Sequence, residues 1–141
     1  MMRAPLVLAL MSAFAAPALA KGWPALPKEG EYVYGRAATP EDIKAKRAVC
    51  KWDDIYFDIG DGGPLPGRPL EGVVVPQYAW FVDPPFSEDA VYEPVVIIQA
   101  EAWGEDGAGA GVRRADGSLA CIDFIQIELL GTDPAKLPKL K

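Results

Sequence analysis

Apolar positions recur at a helical spacing in only one well-bounded stretch, which opens at Thr39-Pro40-Glu41-Asp42. Threonine is a good N-cap, proline suits the first helical position, and the two acids favour the positive end of a helix dipole. Asp42 stands where a capping box needs an acceptor, although Glu or Gln is the usual residue there. Ile43, Arg47 and Cys50 share one side, and Ala45, Ala48 and Val49 widen the apolar stripe. The pattern predicts a helix from Pro40 to Lys51. From Trp52 to Ile59 the spacing fits a helix or a strand equally well. The run Asp58-Ile59-Gly60-Asp61-Gly62-Gly63 then stops any regular element, and Pro64, Pro66 and Pro69 keep the chain irregular to about Leu70.

The second half of the chain reads as antiparallel strands. A short strand from Glu31 to Arg36, with Tyr32 and Tyr34 alternating, precedes them. Gly72 to Val82 is a strand interrupted by Pro76, which lacks a ladder donor and so suggests an edge or a bulge. Val91 to Trp103 is a long strand, Gly104 to Gly111 a flexible connection, and Val112 to Ala115 a short strand. Asp116-Gly117 signals a two-residue hairpin turn, and Ser118 to Leu130 returns as the last strand. In that strand Leu119, Cys121, Ile125, Ile127 and Leu129 point one way, with Asp123 as the exception. Ile122 and Phe124 point the other way, and Val95 and Ile97 oppose Val96 and Ile98. Both faces are thus partly apolar and both need cover. The predicted fold is α+β: one N-terminal helix packed on an antiparallel sheet of four or five strands, stapled by one disulfide.

The N-terminus changes the setting. Arg3 is followed by an almost wholly apolar run from Ala4 to Ala16, and Ala18-Leu19-Ala20 fits a signal-peptidase site. Residues 1–20 are read as a signal peptide and 21–141 as one small domain with an extended N-terminal arm and a short flexible C-terminal tail. The apolar run is short for a bilayer span, and no later segment approaches about 20 apolar residues, so the mature chain carries no membrane span. The expected location is periplasmic or secreted. In an oxidising space the only two cysteines, Cys50 and Cys121, become a disulfide between the end of the helix and the last strand.

Charge and composition then narrow the chemistry. The formal charge is −6, and loss of Arg3 with the leader takes the mature chain to −7. That sign repels nucleic acid and anionic lipid and suits a basic partner. Lys136, Lys139 and Lys141 near the end are too few for a binding arm. There is no histidine, which excludes Ser-His-Asp and Cys-His catalysis and removes a favoured zinc ligand. No cofactor is implied.

The densest acidic cluster is Asp53, Asp54, Asp58 and Asp61, weak as a calcium site because the spacing departs from an EF-hand. Any of these with Glu101 could form a carboxylate pair of a glycosidase, with Trp103 to stack on a sugar. The more ordinary place for Glu101 is the wet edge of its strand, and one of Arg113 and Arg114 is placed to pair with Glu101 or Asp123. Tyr78, Trp80, Phe81 and Trp103 are the candidate partner-binding aromatics, since Trp and Tyr give large contact area at interfaces; core packing is the competing role. The best reading is an exported, non-catalytic binding protein of the inhibitor or immunity type, acting on a protein in the bacterial envelope. The alternatives are a glycan-binding or carboxylate-dependent cell-envelope hydrolase and a dimeric structural envelope protein.

Overall fold

The computed structural model describes residues 22–51, 67–103 and 107–140. The leader and the ambiguous stretch from Trp52 to Ile59 lie outside the described residues. Among the described residues one short α-helix, α1 (Pro40–Lys44), precedes the strands β1 (Arg68–Pro69), β2 (Gln77–Asp83), β3 (Val91–Trp103), β4 (Gly107–Arg114), β5 (Leu119–Asp123) and β6 (Ile127–Gly131). The strands form one antiparallel sheet in the order β5-β4-β3-β2-β6, with β1 pairing the far end of β3. Among the described residues, no helix is long and apolar enough to cross a membrane.

Helix α1 begins as its sequence dictates. The Asp42 N–H donates to Thr39 Oγ1, and the Asp42 carboxylate accepts from the Thr39 N–H, so aspartate completes the capping box. The expected run to Lys51 is cut at Lys44. Lys46 takes a left-handed φ of 63°, and the Arg47 N–H turns back to the Asp42 carbonyl at 2.9 Å. Continuing the helix would spend the Val49 and Cys50 N–H groups on their own helix; instead both donate to the side chain of Gln99.

The sheet cannot be flat. Asp123 lies opposite Gly109, which lies opposite Glu101; Ile127 lies opposite Phe81, which lies opposite Glu93. Spread flat, these points would sit roughly 19 Å apart across the strands and roughly 27 Å apart along them. They are joined by one 3-10 turn, Phe124–Gln126 (3 residues), a link of about 14 Å at most. Only a strongly coiled sheet with tilted strands allows this, which is the geometry of a partly closed barrel. The 3-10 turn accordingly touches both β2 and β4. Register shifts between Ile97 and Gln99, and between Tyr78 and Ala79, supply the bends.

The concave side encloses the main core: Ala79, Val95, Ile97, Ala100, Ala110, Val112 and Ile122, closed at the ends by Val73, Val75, Tyr32 and Phe124. The convex side carries a second core of Trp23, Tyr78 and Val96, with Leu26, Trp80, Leu130, Leu137 and Leu140 against it. Residues from the 23–26 and 137–140 segments therefore cover the outer face. Trp23 Nε1 donates to the Pro138 carbonyl at 3.2 Å. The segment expected to be a flexible tail is seated through Leu140.

Several local expectations change. Residues Glu31 to Arg36 form bends, tied to the sheet by Val33 N–H to the Ile98 carbonyl at 2.9 Å. β2 begins just after Pro76 and is internal, between β3 and β6, so the proline lies outside the ladder instead of marking an edge. The expected flexible link and short strand merge into β4, which begins at Gly107. The hairpin loop is wider than two residues: Arg113 faces Leu119, the Arg114 N–H reaches the Ser118 carbonyl at 2.8 Å, and Gly117 has φ 89°. The last strand is two strands. Asp123 breaks the alternation because its carboxylate caps the 3-10 turn, accepting from the Ile125 N–H at 3.1 Å.

Candidate functional site

The chemistry-bearing residues of the convex face converge on one ladder row. Gln99 lies opposite Gly111, which lies opposite Cys121. Cys121 is bonded to Cys50, with Cα atoms 5.0 Å apart. The Gln99 amide imitates a neighbouring strand: its Oε1 accepts from Val49 N–H (2.9 Å) and Cys50 N–H (2.8 Å), and its Nε2 donates to the Cys50 carbonyl (3.0 Å). Gly111 makes room for it. A Cβ there would meet Gln99 Oε1 at 2.6 Å and Val49 Cγ1 at 2.9 Å.

One row further on lies Glu101. The wet-edge expectation is corrected: Glu101 is 2 % exposed. Its Oε2 accepts from Ala38 N–H at 2.6 Å and from Gln99 Nε2 at 3.1 Å. Burial raises its pKa above the usual carboxylate range, while the two hydrogen bonds act the other way. Asp42 is buried too. Its Oδ2 accepts from Arg36 Nη1 (2.6 Å), Thr39 N–H (2.8 Å) and Thr39 Oγ1 (3.0 Å), and its Oδ1 from Arg36 Nη2 (3.0 Å) and Arg47 Nε (2.8 Å). The Arg36 fork above all holds this carboxyl far below the usual range. Asp42 ties residues 36–47 to one another, and Glu101, through the Ala38 N–H, fastens that segment to the sheet.

The expected partners of Glu101 in a carboxylate pair, Asp53, Asp54, Asp58 and Asp61, lie outside the described residues, as does the side chain of Trp103. Among the described residues no group of His, Cys, Asp or Glu gathers as a metal site. An open depression of about 600 Å³ is lined by Arg68, Pro69, Leu70, Glu71 and Ala102. Ala102 points to the opposite side of β3 from its neighbour Glu101, so the buried carboxylate does not serve that hollow. Arg114 pairs with Glu93 (Nε to Oε2, 3.3 Å) and with neither Glu101 nor Asp123.

The candidate aromatics divide. Tyr78 is 2 % exposed and meets Trp23 edge-on at 5.8 Å. Phe81 packs half-buried against the concave core. Both take the core-packing role that competed with partner binding for these aromatics. Trp80 alone leads outward: it lies 4.8 Å from Trp23 and 5.8 Å from Tyr92, which is half exposed. Tyr92 opens onto the β2–β3 tip, where Val91 and Phe86 are among the most exposed large apolar side chains, Phe86 at 91 %. Ile125 is also exposed, and its 3-10 turn touches β2, with Gln126 Nε2 3.4 Å from Asp83 Oδ1. The sequence signal for this end was Pro84-Pro85-Phe86 set among Asp83, Glu88 and Asp89, an aromatic in a polar turn where no core strand would place it.

Comparison with protein-family models, with curated proteins and with solved structures finds no match to this chain.

Proposed function

We propose that this is an exported, non-catalytic binding protein that docks on a protein partner through the β2–β3 end of its coiled sheet. The observation that carries this reading is the contrast between the two ends of the polar and apolar inventory. The buried carboxylates, Asp42 and Glu101, are bonded into the framework and turned inward. Of the large apolar side chains left to solvent, the three most exposed, Phe86, Val91 and Ile125, gather at one end with Tyr92, while Tyr34, Val74 and Leu129 are scattered elsewhere. An aromatic chain running from Trp23 through Trp80 to Tyr92 backs that end with rigid core. Exposed aromatics on a rigid support are the usual anchors of protein interfaces. The cysteine bridge and the leader-like N-terminus favour an envelope or extracellular setting.

The test is recovery of the protein, with its bridge intact, from the envelope of cells that export it, followed by affinity isolation over a range of salt. A stable stoichiometric protein partner is expected. Recovery of the chain alone, together with turnover of a glycan or peptide substrate by the purified protein, would replace this reading with a hydrolytic one.

A further inference from the structure

The geometry points to Phe86 as a single anchoring side chain, and to a partner surface consisting of an apolar pocket ringed by lysine or arginine. This rests on the binding reading above and gives the partner its chemistry. Two observations carry it. The first is conformational. Phe86 has φ 60° and is 91 % exposed. A bulky residue in the left-handed region is unfavourable, and it persists only where the surroundings impose it. Pro84 and Pro85 fix the backbone before it. Ser87 fixes the backbone after it: its Oγ accepts from Asp89 N–H at 3.0 Å, and its carbonyl from Ala90 N–H at 3.2 Å. The tip thus holds a large apolar ring outward at a cost in backbone strain and in solvation. Neither cost serves the fold, because the ring is not packed against either core.

The second observation is charge. Asp83, Glu88 and Asp89 are exposed around the ring. The chain has no lysine or arginine between Arg68 and Arg113, so β2, the tip and β3 carry acids alone. Charge of one sign around an apolar anchor selects a partner of the opposite sign and raises the rate of encounter. It also argues against an anionic membrane as the surface met by Phe86, since the flanking carboxylates would be repelled there. A second copy of this chain would bring the same acids face to face.

The experiment places a photoreactive benzoylphenylalanine at position 86, and in parallel at the exposed Tyr34, in the full chain expressed in cells that export it. Phe86 is exposed enough for the exchange to leave folding intact, which the thermal midpoint and the absence of free thiols check. Adducts to one protein from position 86, on an apolar peptide adjoining lysine or arginine, are expected. Combining E88K with D89K should lower the adduct yield about tenfold or more at low salt and much less at high salt. Phe86→Gly, which removes the ring and relaxes the backbone, should weaken binding on the order of thirtyfold, as loss of a central aromatic does. Adducts from position 34 but not 86 would overturn Phe86 as anchor while leaving a binding protein. Adducts from 86 that ignore the charge reversals, or that join two copies of this chain, would overturn the cationic pocket. Absence of adducts from both positions would overturn this inference and the binding reading together.

Discussion

Replacing Gln99 with methionine keeps the length of the side chain and removes its hydrogen bonding. In the native fold that amide serves Val49 N–H, Cys50 N–H, the Cys50 carbonyl and Glu101 Oε2, at 2.9, 2.8, 3.0 and 3.1 Å. Gln99 and Cys50 are both buried, so water is poorly placed to take over. An orphaned buried donor or acceptor costs about 1–3 kcal/mol. The two Cys50 groups, with a smaller contribution from the half-buried Val49 and the weakened support of Glu101, put the loss at about 3–6 kcal/mol. Typical domains have about 5–15 kcal/mol in total, and for this size a loss near 4 kcal/mol corresponds to a fall of roughly 15 °C in the thermal midpoint. Differential scanning calorimetry on the oxidised protein measures it directly. The disulfide beside this row stays covalent in the variant, so segment 49–50 is still tethered and only the polar contribution is read. A midpoint within about 3 °C of wild type would refute the argument that this amide acts as a buried strand partner.

Three further outcomes are expected. Converting Cys50 and Cys121 together to serine should cost about 4 kcal/mol, the loop-closure value for a sequence separation of 71, read as a lower urea midpoint with a steeper slope, since the unbridged chain unfolds to a more exposed state. Glu101 has a raised folded pKa, so it binds protons more readily folded than unfolded; its contribution is complete below about pH 4.5 and is lost as pH rises toward the folded value. Asp42 acts with the opposite sign, stabilising above about pH 4 and losing that effect as acid protonates it. Stability should therefore peak in the mildly acid range, and Glu101→Gln should flatten the decline on the alkaline side while leaving the acid side unchanged; a variant with the wild-type profile in urea titrations across pH would contradict this. Phe86→Gly should raise stability by about 1 kcal/mol, the cost of a left-handed non-glycine residue, and a loss of stability by calorimetry would show that the ring contributes to the fold.

Those elements whose cause is local were readable in the sequence. Thr39-Pro40-Glu41-Asp42 specifies where α1 starts, and the alternation around Val95 to Ile98 specifies a strand with two apolar faces. The single pair of cysteines specified the staple once export was assumed. Features with a distant cause were not readable. The helix stops at Lys44 because Gln99, far along the chain, takes the N–H groups that would have prolonged it. Residues Gly107 to Gly111 looked like a linker, yet Gly111 is a strand residue without a side chain because Gln99 and Val49 fill that space. The burial of Glu101 has no signal in the sequence, because its hydrogen-bond donors, the Ala38 N–H and the Gln99 amide, cannot be located from spacing. Asp123 was noticed as an anomaly, and the anomaly was the corner where the coiled sheet closes. Phe86 stands outside every periodic segment, so neither helical nor strand spacing singles it out.

Placed side by side, Glu101 and Phe86 give the logic of the molecule. A carboxylate is costly to bury and an aromatic ring is costly to leave in water, yet this chain does both. The buried acids have partners on the spot: Asp42 is compensated by two arginines and the helix cap, and Glu101 in part by a main-chain N–H and an amide. Phe86 has no such compensation within the fold. Its exposure and its left-handed backbone leave two unfavourable terms without a partner inside the described fold, and the proposed partner surface would offset the exposure and match the flanking acids with opposite charge. The polar framework accounts for how a small stapled sheet holds its shape; on the proposed binding reading, the uncompensated ring is what that shape presents.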